Sequence, residues 1–267
     1  MENVIEKVAT FGVVPVVVLN HAKDAKPLAQ ALCSGGLKGA EVTFRTDAAA
    51  ESIRIMTTEF PDMLVGAGTV LTTKQVDDAV AAGAKFIVSP GFDEEIVDYC
   101  IDRDIPVLPG TITPSEVAKG VKRGLNVLKF FPAEQAGGLA MIKAMAAPYT
   151  TVRFMPTGGI NAKNLGEYLS SDKIFCCGGS WMVKKDLVQA GNFGKIKELT
   201  EEAVTKMLGF SICHIEINGQ DGASAEHIAD SFSKAFGFEK KDEKESVLVA
   251  DQLAFLKQKG KGTLGQI

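Results

Sequence analysis

The apolar run Val13–Leu19 (VVPVVVL) is followed directly by Asn20-His21-Ala22-Lys23, and this junction decides between two parallel α/β folds. A doubly wound open sheet usually carries a glycine-rich fingerprint after its first strand, and the junction contains no glycine. A continuous run of Val and Leu is typical of a parallel strand that is buried on both faces. The junction therefore favours a barrel of parallel strands over an open sheet.

Similar apolar runs recur along the first two thirds of the chain. Eight such runs cover residues 13–19, 40–44, 64–70, 86–90, 105–109, 127–132, 153–156 and 173–177. Segments with helical periodicity lie between them, and proline, threonine or glycine marks several helix ends, as in Thr113-Pro114-Ser115-Glu116. Strand and helix therefore alternate, which predicts a (β/α)8 TIM barrel.

The alternation ends near Leu208, and a different order follows. Residues 212–217 alternate like a strand, residues 223–236 have helical periodicity, and residues 246–250 and 253–256 are again strand-like. This order does not continue the barrel. We therefore expect residues 1–208 to form the barrel and residues 209–267 to form a small α+β appendage, in which this periodicity gives the order βαββ.

Composition and charge exclude several classes of protein. The 29 Lys and Arg against 33 Asp and Glu give a net charge of −4, which argues against a nucleic-acid partner. The longest apolar stretch is far shorter than the roughly 20 residues that cross a membrane, and the amino terminus lacks the pattern of a signal peptide. The 5 cysteines lack metal-site or redox spacing, which is typical of reduced thiols in the cytoplasm. The sequence also contains no His and carboxylate cluster with metal-site spacing, so we expect no metal.

Polar residues lie at the carboxyl ends of the predicted strands, where such barrels carry their chemistry. Glu41, Thr43 and Arg45 alternate at the end of the second run and therefore share one face of the strand. Lys129 lies inside an apolar run, and burial of an ammonium favours the neutral amine that forms a Schiff base with a ketone. Glu41 is then the candidate proton shuttle. The alternatives are an ammonium that reaches solvent and a structural ion pair of Glu41 with Lys129 or Arg45.

Glycine pairs follow the last two runs, in Thr157-Gly158-Gly159 and Gly178-Gly179-Ser180. Backbone N–H groups without a neighbouring Cβ can approach an anion at this position of a barrel, so the pairs predict a phosphate site. The alternative is two tight turns. Arg45 and Thr69 are candidates to hold a carboxylate, with an ordinary strand-end salt bridge as the alternative.

Residues 1–208 resemble the class I 2-keto-3-deoxy-6-phosphogluconate (KDPG) and 4-hydroxy-2-oxoglutarate (KHG) aldolase family. The motifs that carry the resemblance are VPV at 14–16, EVTFRT at 41–46, GAGTV at 66–70, SPG at 89–91, KFFPAE at 129–134, PTGGI at 156–160 and GGSW at 178–181. Many members have Leu where this chain has Phe44, and we expect that difference to be harmless.

The resemblance implies an activity and a role for each motif. It implies cleavage of KDPG to pyruvate and glyceraldehyde 3-phosphate, or of KHG to pyruvate and glyoxylate, with Lys129 forming the Schiff base and Glu41 acting as general acid and base. The other implied roles are substrate binding by Arg45, Thr69, Pro90, Phe131 and Thr157, and phosphate binding by Gly158, Gly159, Gly179 and Ser180. The protonated imine is the electron sink, so no metal and no organic cofactor are expected. The family's assembly implies a homotrimer.

Two other functions compete with the aldolase: a barrel phosphosugar isomerase or epimerase, and a non-catalytic sugar-phosphate sensor. The presence of both Lys129 and Glu41 favours the aldolase, because a sensor needs neither a neutral amine nor a proton shuttle. The tail, with HIEIN at 214–218 and FGFE at 236–239, resembles one βαβββ half of a glyoxalase or vicinal-oxygen-chelate module. In that module His214 takes a metal-ligand position. The competing interpretation is an appendage for packing or oligomerisation.

Overall fold

The computed structural model describes residues 4–209, 215–218, 221–236, 240–242, 246–249 and 253–256. The chain divides into two compact units, one from Met1 to Gly209 and the other from Phe210 to Ile267. Within the described ranges, no helix combines the length and the apolar character that a membrane crossing requires.

Strands and helices alternate through most of the first unit. Its helices are α1 (Val4–Thr10), α2 (Ala25–Ser34), α3 (Ala49–Glu59), α4 (Thr73–Ala81), α5 (Glu94–Ile101), α6 (Pro114–Lys122), α7 (Gly138–Ala146), α8 (Leu165–Leu169), α9 (Lys185–Gln189) and α10 (Phe193–Leu208). Its strands are β1 (Val13–Val17), β2 (Gly39–Thr43), β3 (Leu64–Gly68), β4 (Ile87–Val88), β5 (Val107–Leu108), β6 (Gly110–Thr111), β7 (Val127–Phe130), β8 (Arg153–Pro156) and β9 (Cys177–Gly179).

These strands are parallel and form a curled sheet. β1 lies between β2 and β9, and Val16 of β1 is opposite Glu41 of β2. β2 pairs with β3, β3 with β4, and β4 with β5, while β7 lies between β6 and β8. Only Pro109 separates β5 from β6, and a bridge between Thr157 and Gly178 joins the end of β8 to β9. The predicted α/β fold with a parallel sheet is confirmed, and its strands bring their carboxyl ends to one edge.

Apolar side chains of the helices and the strands pack together in the core of the first unit. β2 is buried at every position, as expected for a strand covered on both faces. The helices contribute apolar stripes, for example Leu28 and Leu32 on α2 and Ile53 and Met56 on α3, all of which are fully buried. Burial of such side chains is the main stabilising contribution to a fold of this kind. The strand ends that carry the polar motifs are therefore fixed on a rigid scaffold.

The eighth strand is displaced from the position that the sequence predicts. The apolar run covers 173–177, but β9 begins only at Cys177, where its ladder with β1 starts. Ile174 forms an isolated bridge with Phe154, and the Phe175 N–H donates to the Phe154 carbonyl at 2.8 Å. The first part of the run therefore pairs only with β8, and the regular strand extends into the glycine pair.

The described part of the second unit contains one helix and four strands. They are β10 (Ile215–Asn218), α11 (Gly222–Phe236), β11 (Lys240–Asp242), β12 (Ser246–Val249) and β13 (Leu253–Leu256). The strand order is β10-β13-β12-β11, with β10 parallel to β13 and the other pairs antiparallel. His214 lies outside the described residues, so its role as a metal ligand stays a prediction.

Candidate active site

Two buried side chains of opposite charge meet inside the curled sheet. Lys129 lies on β7 and Glu41 on β2, and Lys129 Nζ donates a hydrogen bond to Glu41 Oε1 at 3.3 Å. Their side chains are only 6% and 0% exposed, respectively. This geometry excludes an ammonium that extends into solvent. The separation is close to the range in which a positioned carboxylate exchanges a proton with its partner.

The position of Glu41 depends on a glycine in the neighbouring strand. A Cβ at Gly68 of β3 would overlap Oε1 and Cγ of Glu41, so only glycine leaves room for this carboxylate. The second oxygen, Glu41 Oε2, is buried and has no hydrogen-bond partner among the described residues. A buried acceptor without a partner is costly. This oxygen is therefore available to accept a hydrogen bond or a proton from a reacting group.

An aromatic ring connects the buried pair to a cavity at the carboxyl ends of the strands. Lys129 Nζ lies 5.5 Å from the centroid of the Phe131 ring, within the range of a cation–π contact. Phe131 also lines a cavity of about 550 Å³. The other lining residues are Val16, Val18, Arg45, Thr157, Gly158, Gly159, Ile160, Gly178, Ser180, Val183, Lys184 and Lys185. Phe131 therefore contacts Lys129 and also lines this cavity.

Arg45 and Thr69, predicted to act together, are in contact. Arg45 Nε donates to Thr69 Oγ1 at 3.2 Å. Thr69 has a φ of 52°, in the left-handed region that β-branched residues rarely adopt. Within the described part of the chain, the two terminal nitrogens of the Arg45 guanidinium have no hydrogen-bond or ion-pair partner. They form a fork that suits a carboxylate.

The turn after β8 presents its backbone to the same cavity. Gly158 and Gly159 have φ angles of 102° and 83°, a conformation that glycine adopts without strain. The Gly159 carbonyl accepts hydrogen bonds from Asn161 Nδ2 at 2.9 Å and Asn164 Nδ2 at 3.1 Å. Ser180 lines the cavity with both glycines. The conformation of this glycine turn is therefore held by hydrogen bonds within the protein.

Gly179 and Pro90 are predicted binding residues that the structure does not place in the lining of this cavity. Gly179 is not among the residues that line the cavity. A Cβ at this position would overlap the Trp181 ring, and Gly178 lines the cavity instead. Pro90 lines another cavity, of about 280 Å³, in the loop after β4. The sequence motifs locate these residues at the correct strand ends but do not show which backbone atoms face the cavity.

Two threonine hydroxyls near the site differ in their availability. Thr43 is expected on the same strand face as Glu41. Its hydroxyl donates a hydrogen bond to the Val17 carbonyl at 2.8 Å and therefore stabilises the pairing of β2 with β1. Thr157 Oγ1 is buried and has no hydrogen-bond partner among the described residues. Its backbone N–H donates to the Phe130 carbonyl at 2.9 Å, which fixes the residue beside the cavity. Thr157 therefore offers a hydroxyl to a bound molecule.

The thiols near the buried pair are protonated. Burial raises the pKa of Cys177 to about 12. Burial raises the pKa of Cys176 well above its ordinary value, and the negative charge of Glu41 raises this pKa further. A protonated, buried thiol is a poor nucleophile, so neither cysteine competes with the Lys129 amine. Across the described ranges, no group of three His, Cys, Asp or Glu side chains is arranged to hold a metal ion.

The cavity wall also contains two cations, Lys184 and Lys185, that the sequence did not identify as site residues. Lys184 and Lys185 line the cavity with Ser180, and they follow the short 3-10 turn Trp181–Val183. The only available signal is a basic pair four and five residues after Ser180. Such a pair is common on protein surfaces, so the sequence alone did not distinguish it from ordinary solvated lysines.

Comparison with known proteins identifies similar chains. The model of a family described as KDPG and KHG aldolase matches residues 4–199. A 2-dehydro-3-deoxy-phosphogluconate aldolase of Treponema pallidum is 46% identical over 204 residues, which are 76% of this chain and 97% of the relative. The KHG/KDPG aldolase of Escherichia coli is 44% identical over 200 residues, which are 74% of this chain and 94% of that protein.

Solved structures show the same similarity. The KDPG aldolase of Legionella pneumophila, determined with pyruvate captured as a covalent carbinolamine intermediate, has a TM-score of 0.73 and 42% identity, covering 76% of this chain and 99% of that chain. The 2-keto-3-deoxy-6-phosphogluconate aldolase of Zymomonas mobilis, determined with 3-phosphoglycerate, has a TM-score of 0.70 and 44% identity, covering 74% of this chain and 94% of that chain. Each match therefore covers about three quarters of this chain and nearly all of the relative.

Proposed function

The chain belongs to the KDPG and KHG aldolase family, and from this premise we propose that Lys129 and Glu41 carry out its Schiff-base chemistry. The protein is a lyase, a class I pyruvate-dependent aldolase that cleaves KDPG to pyruvate and glyceraldehyde 3-phosphate. KHG, which yields pyruvate and glyoxylate, is the second substrate that we propose. The observation that carries the assignment is the buried contact of 3.3 Å between Lys129 Nζ and Glu41 Oε1 beside the cavity.

The first half of the reaction forms the imine. Lys129 Nζ adds to the C2 carbonyl of the substrate, and Glu41 takes the proton that the nitrogen loses and passes it to the C2 oxygen, which becomes a hydroxyl. Glu41 then delivers a second proton, taken up from solvent, to this hydroxyl, which leaves as water and gives a protonated imine. A neutral amine and a carboxylate within reach are the groups that this step requires.

The second half breaks the carbon–carbon bond. Glu41 accepts the proton of the C4 hydroxyl, and the electrons of the C3–C4 bond move into the imine, forming an enamine and releasing the aldehyde. The enamine takes a proton at C3, and water hydrolyses the resulting imine to pyruvate and the free amine of Lys129. The imine nitrogen accepts the electrons throughout.

The remaining site residues hold the two ends of the substrate. Arg45 and Thr69 bind the carboxylate next to the keto group, because the guanidinium fork and the hydroxyl lie together at 3.2 Å. Phe131 and Thr157 shape the pocket around the reacting carbons. The phosphate is held by the backbone at Gly158 and Gly159 and by the Ser180 hydroxyl, all of which line the cavity. The family resemblance extends this site to Gly179, next to the lining residue Gly178, and assigns Pro90 to the substrate pocket, although Pro90 lines a separate cavity in this structure.

We further propose that the curled sheet closes as a (β/α)8 barrel over residues 1–208, and that residues 209–267 are a βαβββ module of the glyoxalase type. The pairing of β9 with β1 and its bridge to β8 support closure. The family resemblance supports a homotrimer in the cytoplasm. Sedimentation equilibrium of the full chain tests the trimer directly, and a monomeric or dimeric mass would contradict it.

Trapping with borohydride tests the role of Lys129. Pyruvate forms an imine with the active lysine, and borohydride reduces it to a secondary amine that cannot hydrolyse. We expect irreversible loss of activity and one modified peptide, which contains Lys129. Lys129→Met should show neither labelling nor turnover, with an unchanged circular dichroism spectrum. An unlabelled Lys129, or a label spread over surface lysines, would overturn the assignment, and an isomerase or a sensor would give that result.

A further inference from the structure

We infer that Lys184 and Lys185 form the charged half of the phosphate site and determine the preference for phosphorylated substrates. The inference rests on the proposed function, because it concerns the distal end of the same cavity. Glycine backbone and a serine hydroxyl offer hydrogen bonds to a phosphate but no positive charge. The two lysines supply that charge.

The first observation is the charge of the cavity wall. Of the described residues that line it, three are cations, Arg45, Lys184 and Lys185, and none is acidic. The KDPG anion carries one carboxylate and one phosphate, and a phosphate monoester has a charge of about −1.5 to −2 at neutral pH. One cation at the keto-acid end and two at the distal end would match this distribution of charge.

The second observation is that the backbone of the lysine pair is anchored beside the glycine cradle. The Val183 N–H donates to the Ser180 carbonyl at 3.1 Å, which closes the turn. Met182 and Val183 are buried, with 0% and 3% exposure. The Lys184 carbonyl in turn accepts from the Val188 N–H at 3.1 Å. The Cα of Lys184 is therefore held near Ser180, although its side chain is exposed.

The third observation is that neither ammonium is engaged with a carboxylate. Many lysines of this chain pair with acidic side chains, for example Lys74 with Asp78 at 2.6 Å. Lys184 and Lys185 have no such ion pair with any described residue, although Asp186 follows them in the sequence. Their charge is thus available to an anion in the cavity.

The test compares a phosphorylated with an unphosphorylated substrate. Lys184→Ala/Lys185→Ala removes both charges, and Lys122→Ala/Lys206→Ala removes two exposed lysines outside the cavity as a matched control. For KDPG we expect the double variant to lose about tenfold in kcat/KM, mostly through KM. For unphosphorylated 2-keto-3-deoxygluconate the loss should be a smaller factor. The Lys184→Arg/Lys185→Arg variant should restore the preference, and the control should match the wild type.

A binding measurement separates this inference from the catalytic proposal. Trp181 is the only tryptophan of the chain, and its ring lies against Gly179, so its fluorescence can follow the binding of inorganic phosphate. We expect the midpoint of a phosphate titration to rise about tenfold in Lys184→Ala/Lys185→Ala and to stay constant in the control.

The outcomes distinguish two failures. An unchanged midpoint and an unchanged substrate preference in the double variant would overturn the inference while leaving Schiff-base chemistry intact. Failure of borohydride to label Lys129 would overturn the catalytic assignment, whereas the phosphate titration would still report on the two lysines.

Discussion

At the scale of single residues, the placement of Glu41 makes a direct prediction. Glu41→Gln keeps the volume of the side chain but cannot accept a proton, so turnover of KDPG should fall by roughly 10²–10⁴-fold, the usual effect of losing a positioned acid or base. Substrate KM should change much less. Steady-state kinetics measure both values, with the exposed Glu95→Gln as control. A variant within a few-fold of wild-type turnover would place the proton shuttle elsewhere.

Gly68 provides a second test of the same carboxylate without altering it. A methyl group at Gly68 would overlap Oε1 of Glu41, so Gly68→Ala should displace the carboxylate and lower kcat in the direction of the Glu41→Gln variant. Gly166→Ala is the matched control, because a Cβ there meets no atom within 4 Å. Kinetics should be combined with a thermal melt. A folded Gly68→Ala protein with full activity would show that the position of Glu41 tolerates movement.

These residues also show what the sequence can reveal. The burial of Lys129 and Glu41 was predictable because both lie inside apolar runs. The position of Lys184 and Lys185 in the cavity wall was not predictable, because the sequence does not distinguish them from other exposed lysines. The left-handed φ of Thr69 was equally hidden, since threonine disfavours that conformation and only the surrounding fold imposes it.

At the scale of elements, helix α6 begins with a reciprocal cap that makes stability depend on pH. Thr113 Oγ1 accepts from the Glu116 N–H at 3.3 Å, and Glu116 Oε2 accepts from the Thr113 N–H at 2.8 Å. Burial raises the pKa of Glu116, but hydrogen bonds from Ile112 and Thr113 outweigh it, and the net pKa is lowered. Thr113→Ala should reduce the free energy of unfolding at pH 7 by about 1 kcal/mol, as measured by urea denaturation.

The sign of the pH effect follows from the lowered pKa. Stability from ionised Glu116 is present above its unfolded-state pKa, near 4.5, and is lost as the pH falls through the lower folded-state value. The cost of Thr113→Ala should therefore shrink in acid. Thr72 is the N-cap of α4, and its hydroxyl accepts a hydrogen bond from the Gln75 N–H. The Gln75 side chain does not titrate, so the loss of stability caused by Thr72→Ala should not become smaller in acid. Equal pH dependence of the two variants would contradict this account.

The same caps explain which elements were predictable. The start of α6 was predictable because Thr113-Pro114-Ser115-Glu116 marks a helix end, and Thr113 is the N-cap in the structure. β9 was misplaced because its apolar run pairs first with β8 and only later with β1. The periodicity of apolar residues indicates that a strand is buried, but it does not indicate which neighbouring strand pairs with it at each position.

At the scale of the whole molecule, the relatives indicate which part of the chain is needed for catalysis. The Treponema pallidum aldolase is matched over 97% of its length by 204 residues of this chain, so it has little beyond the first unit. The family match likewise ends at residue 199. Every residue to which we assign chemistry lies between Glu41 and Lys185. The family match therefore lies entirely within the first unit.

We expect a chain that ends at Gly209 to keep most of its kcat/KM for KDPG. This cut preserves the left-handed C-cap of α10, where Gly209 has a φ of 63°. β10 and β11 are the edge strands of the sheet in the second unit, and unpaired edges favour association, so removal of this unit should first change solubility or assembly. EDTA should leave cleavage by the full chain unchanged, because the imine accepts the electrons. Kinetics and sedimentation test both expectations. Loss of turnover in a folded, normally assembled truncation would show that the second unit contributes to the active site.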